Sequence, residues 1–87
     1  MDNKKDRVLS DTNVSENIIK DQIRSIVTRA VRIRRSTVHW ILWDKGMLGR
    51  PGGNWSSHSF QLMLNDLYKE GFIGASKTQR ATYLKII

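Results

Sequence analysis

No cysteine occurs anywhere in this chain, so neither a disulfide nor a thiolate metal site can supplement its single hydrophobic core. Long hydrophobic runs are missing too. Nothing approaches the roughly 18 apolar residues of a membrane span, and the N-terminus lacks the charged, apolar and small-residue order of a secretory signal. The expectation is a protein of the reducing interior, cytoplasmic (nucleoid-associated) or nuclear, without a membrane partner. Histidine is scarce: His39 and His58 are the only two, with no His-x-x-x-His spacing, so no metal or other cofactor is expected. Ser56, Ser57 and Ser59 have sufficient use as caps and turn residues. The chain therefore reads as a binding protein and not an enzyme.

Acidic residues are few as well. In 87 residues, 8 Asp and Glu face 15 Lys and Arg, for a net charge of +7, which points to polyanionic partners. The first 13 residues contribute nothing to this excess, because Lys4, Lys5 and Arg7 cancel Asp2, Asp6 and Asp11. These residues are polar and without apolar periodicity, and they read as a disordered tail (1–13) ahead of one domain (14–87). Within that domain Arg24, Arg29, Arg32, Arg34 and Arg35 follow one another with no acid between Asp21 and Asp44.

From Val14 onward, Ile19, Ile23, Ile26, Val27 and Ala30 recur at the spacing of one buried helical face, with Asn13 or Ser15 as N-cap. Arg34 would fall inside that stripe, so the helix should stop near Thr28 to Val31. The alternation of Val31, Arg32, Ile33 and Arg34 then suits a very short strand. Ser36 is suited to cap a second helix through about Lys45, with Val38, Ile41 and Leu42 inward and Gly46 as its stop. Trp40 and Trp43 lie on another side, where core packing is the first expectation and a protein interface or base stacking the alternatives.

Four of the six glycines and the only proline lie between Gly46 and Trp55, which must be a loop. It lacks the Gly-Lys-Ser/Thr ending of a phosphate-cradling P-loop. Gly49, Arg50 and Pro51 resemble the core of an AT-hook without its second arginine; a flexible connector with Trp55 folded onto the core is the expected reading. Ser56 or Ser57 then caps a third helix with the stripe Phe60, Met63, Leu64 and Leu67, closed by Gly71. Phe72 and Ile73, a polar turn through Gly74 to Thr78, and the Thr, Tyr and Ile content of Arg80 to Ile86 predict a β-hairpin.

Three helices, a short strand between the first two and a hairpin directly after the third resemble the winged-helix variant of the helix-turn-helix. The likeness is strongest over Phe60–Ile73 and the hairpin, where Leu67, Gly71, Phe72, Ile73 and Tyr83 match its packing and turn positions. The connection between helices two and three departs from it, being about ten residues where a tight helix-turn-helix has three or four. The implied fold class is mainly α with a small β-hairpin (α+β).

The resemblance implies a double-stranded DNA-binding protein, a transcription or DNA-transaction regulator with helix three in the major groove and the wing on the backbone. Ser57, His58, Gln61, Leu62 and Asn65 are the expected base contacts, since amides match the donor and acceptor pair of adenine and Leu62 a thymine methyl. Arg24, Arg29, Arg32, Arg35, Arg50, Lys69, Lys77 and Arg80 are the expected phosphate contacts. Asp66 and Glu70 count against this face, because both repel phosphate unless turned outward. Such a module gains specificity as a homodimer. A protein-interaction adaptor and an RNA or single-strand binder are the remaining readings.

Overall fold

The computed structural model describes residues 14–87; the tail expected over 1–13 lies outside the described residues. Helix α1 spans Glu16–Ala30. Ser15 caps it, its Oγ accepting from the Ile18 N–H at 3.5 Å, and Glu16 in the first turn complements the helix dipole. Ile19, Ile23 and Val27, four apart, are fully buried. The helix ends at Val31, whose φ of +68° is rare for a β-branched residue. Two bonds hold that residue: its N–H donates to Val27 O at 2.7 Å, and its carbonyl accepts from the Ile86 N–H at 3.1 Å.

This reversal delivers the chain directly into strand β1 (Arg32–Arg34), and helix α2 (Arg35–Asp44) follows without a linker. Ser36 is therefore not the cap. Arg34 occupies the cap position with no side-chain bond, because β1 stays paired through Arg34 and Ser36 already lies in the first turn. Val38, His39 and Leu42 fill the buried face of this short helix. His39 packs its ring 4.7 Å from that of Phe60 and donates from Nε2 to Gly49 O at 3.0 Å. Trp40 and Trp43 are consequently 48% and 44% exposed, a correction to the core packing expected of them.

The glycine-rich loop is anchored, and by a different residue than expected. Leu48 is buried at 2% exposure, Met47 N–H donates to Leu42 O at 2.9 Å, and Ser56 Oγ donates back to the Arg50 carbonyl. Helix α3 (Asn54–Glu70) starts earlier than the serines suggested, with Gly53 at its cap position. Ser56 thus lies inside the first turn, buried against the loop, and a Cβ on Gly53 would come within 3.0 Å of its Oγ. The early start swings Trp55 outward to 63% exposure, so it is not folded onto the core. Phe60, Met63, Leu64 and Leu67 are fully buried as expected, and Gly71 ends the helix at φ +78°, a conformation open to glycine.

Strands β2 (Ile73–Lys77) and β3 (Thr82–Ile86) form the hairpin, and β1 adds to it in the antiparallel order β1-β3-β2. The turn falls later than the composition implied. Gly74, Ala75 and Ser76 are weak strand formers, yet they pair with Lys85, Leu84 and Tyr83, and cross-strand pairing overrides propensity. Thr78 makes the turn instead, its Oγ1 accepting from the Arg80 and Ala81 N–H groups and its own N–H donating to Ala81 O at 2.8 Å.

Ile33 of β1 stands opposite Leu84 of β3, and with Ile73 these direct one face of the sheet at the helices. Arg32, Arg34, Tyr83 and Lys85, one residue out of step, occupy the other face. The result is an α+β arrangement of three helices and a three-stranded sheet around one core. Among the described residues no helix is long and apolar enough to cross a membrane.

Because Leu48 is the loop's own member of the core, Leu48→Ala should lower stability by about 2–4 kcal/mol in denaturant melts. Replacement of the neighbouring exposed Arg50 by Ala should change it by less than about 0.5 kcal/mol.

Candidate nucleic-acid interface

The buried stripe of α3 fixes what the helix shows to solvent. His58, Gln61, Asn65 and Lys69 are exposed on the opposite side, whereas Ser57 and Leu62 are half-buried at its margins. Arg35, the first residue of α2, reaches this face. Its guanidinium lies 4.8 Å from the centre of the Phe60 ring and donates to Gln61 Oε1 at 2.8 Å, while Gln61 Nε2 donates to Asn65 Oδ1 at 2.9 Å. Burial pushes the Tyr68 phenol above its ordinary pKa, and the nearby Arg35 charge pulls the other way. Arg35, Gln61 and Asn65 thus form one hydrogen-bonded row across α2 and α3. The Asn65 amide hydrogens and the remaining guanidinium N–H groups stay available to a ligand.

At the N-terminal end of the same helix, His58 meets Trp55 edge-on at 6.4 Å. With Asn54 they line an open recess of about 320 Å³. Asn54 and Trp55 were not among the sequence-derived site residues, because the helix was expected to begin after them.

The acids of α3 are turned to the other flank and neutralised there. Lys20 Nζ lies 3.3 Å from Asp66 Oδ2, and Arg24 holds both carboxylate oxygens of Glu70, with Nη2 2.9 Å from Oε2, while also bonding Asp21. The hydrogen bonds that Arg24 donates to Glu70 are the main reason its pKa lies above its ordinary value, against the opposing effect of burial. Both pairs join residues 46 apart in sequence, and each helix contributes residues four apart, so the contacts are two rungs between α1 and α3. The guanidinium of Arg24, expected among the phosphate contacts, belongs to this flank.

Among the described residues the remaining cations make no ion pair. Arg50 is exposed in the loop, Lys77 and Arg80 flank the hairpin turn, and Arg29 with Lys45 borders an open groove of about 560 Å³ whose floor is Ile26, Ile33 and Ile41. Arg32 stands apart from α3, on the outward sheet face, with its guanidinium 3.9 Å from the centre of the Tyr83 ring and that of Arg34 at 5.9 Å. From the sequence Arg34 was read only as part of the basic stretch and Tyr83 only as a packing position, and Lys85 was not singled out, although the alternation of residues 82–86 was enough to group Tyr83 with Lys85. No cluster of potential metal ligands occurs among the described residues. No family model, curated protein or solved structure matches this chain.

If the Arg24–Glu70 rung is structural, a double-mutant cycle of Arg24→Ala and Glu70→Ala should return a coupling of about 0.5–1 kcal/mol in thermal or denaturant melts at low salt. That coupling should shrink as salt is raised.

Proposed function

We propose that the domain binds double-stranded DNA as a small winged-helix regulator of transcription or another DNA transaction, with α3 in the major groove and the hairpin turn on the backbone. The observation that carries this reading is the Arg35–Gln61–Asn65 row on a helix face whose acids, Asp66 and Glu70, are already matched by Lys20 and Arg24. The winged-helix assignment draws on the element order and on the sheet order β1-β3-β2, with the short strand between α1 and α2 joined to the hairpin.

In this reading Asn65 and Gln61 meet base edges, with His58 and Leu62 beside them and Ser57 at the margin. Arg35 both approaches phosphate and holds Gln61, so the amides are presented in a fixed orientation before DNA arrives. Arg29, Arg50, Lys69, Lys77 and Arg80 supply backbone contacts, which position the domain without reading sequence. Arg24 drops out of this set because of its bonds to Glu70 and Asp21, and Arg32 because it lies on the sheet's outward face. A second reading, a protein-interaction adaptor, is favoured by one observation: Trp40, Trp43 and Trp55 all expose large apolar area. It predicts a stable protein complex and little DNA retention at physiological salt.

Titration of labelled duplex DNA, single-stranded DNA and RNA at two salt concentrations separates these readings. With about five backbone contacts, duplex affinity should fall by something like two to three powers of ten over a fourfold rise in salt. Asn65→Ala or Gln61→Ala should relax sequence preference by about 1–3 kcal/mol, whereas Arg80→Ala should weaken all duplexes alike and lower the salt slope by about one. Equal loss on every sequence from the Asn65 and Gln61 variants would overturn the recognition role of α3.

A further inference from the structure

The outward face of the sheet is the strongest charged patch that the proposed α3 interface leaves unused. Strand register puts Arg32 directly opposite Lys85 and Arg34 opposite Tyr83, so two guanidinium groups lie over one aromatic ring and Lys85 shares their face. The β2 positions on this face nearest them are Gly74 and Ser76, opposite Lys85 and Tyr83; the Ile87 side chain packs over Gly74, while Ser76 beside Tyr83 carries only a small side chain. No acid occurs in any of the three strands.

Like charges directly opposite on neighbouring strands destabilise a sheet. Arg32 and Lys85 nevertheless face each other with no carboxylate paired to either among the described residues, in a domain that elsewhere pairs Lys20 and Arg24 with acids. An anion lying over the face removes the penalty. Stacking on Tyr83 at 3.9 Å holds the Arg32 guanidinium in place while leaving its N–H edge open to phosphate oxygens.

This face is turned away from the core and adjoins the α3 face where β1 runs into α2, Arg34 belonging to the one and Arg35 to the other. Ile33, Leu84 and Ile73 point inward from the sheet toward a cluster shared with Phe60, Met63, Leu64 and Leu67, and the basic residues point the other way.

We infer that the outward face of the sheet, through Arg32, Arg34 and Lys85, is a second phosphate-binding surface, by which one molecule holds two segments of duplex DNA at once. This rests on the reading of the domain as a duplex binder.

The test uses the full chain, one duplex fixed to beads and a second, labelled duplex in solution, with single-duplex affinity and thermal melting measured in parallel. The wild-type protein should be retained on the beads and should capture the labelled duplex. R32Q/R34Q/K85Q should keep its affinity for a single duplex but lose capture by something like two powers of ten, as expected for three lost phosphate contacts. Lys85→Gln alone should melt no lower than wild type without DNA, since it relieves the facing charges. Capture by the triple variant equal to wild type would overturn the inference, and would point to dimerisation through another surface as the cause of bridging. A parallel loss of single-duplex affinity would overturn it by making the face part of one continuous site. A lowered melting point for Lys85→Gln would remove its premise. Wild-type protein that captures nothing although retained on the beads would overturn this inference alone, while failure to be retained at all would overturn the duplex-binding reading and this one with it.

Discussion

The pairing of β1 with β3 is the constraint on which the rest of the architecture depends. Three residues between two helices find their partner about fifty positions later, and that contact sets Ile33 against Leu84 in the core. Closing so long a loop is entropically costly, and a strand this short supplies little pairing by itself. The helical core shared by α1, α2 and α3 makes the closure favourable by burying Leu84 and Ile73 together. Strand and core are thus cooperative: β1 lies where it does because α1 stops at Val31, and α2 starts without a cap because β1 continues into it.

Charge is sorted by the same framework. The two rungs between α1 and α3 place Asp66 and Glu70 beside Lys20 and Arg24 and away from the row formed by Arg35, Gln61 and Asn65. Each rung is partly exposed and contributes little stability, about a kilocalorie per mole or less. Their larger effect is on location. Acids that would repel a polyanion from α3 are matched on one flank, and the cations elsewhere keep their charge uncompensated among the described residues.

Elements whose periodicity is strong were legible in the sequence: Ile19, Ile23, Val27 and Phe60, Met63, Leu64, Leu67 are buried where the spacing put them, although Ile26 is only half-buried and Ala30, in the last turn of α1, is exposed. The short strand was legible too, because alternation and the misfit of Arg34 with the helical stripe agreed. Boundaries set by tertiary pairing were not. Ser36 has the chemistry of a cap, but the strand before it decides where α2 begins; Gly74 to Ser76 have the chemistry of a turn, but β3 holds them extended. The tryptophans were misjudged because hydrophobicity argues for burial, while His39 and Leu48 already occupy the space available. At the candidate site the polar face of α3 followed from its spacing, whereas the Arg35–Gln61 bond and the Arg24–Glu70 rung link residues far apart and emerge only in the folded chain.

The flank joining α1 and α3 also governs how the molecule travels. With Asp21, Asp66 and Glu70 gathered on one side and unmatched cations on the hairpin and sheet, the domain carries a sided electric field as well as a net charge. Near a polyanion such a body experiences a torque before it makes any contact. Two modest ion pairs between helices therefore shape the field beyond the molecule's surface, by fixing where its matched acids and its unmatched cations lie.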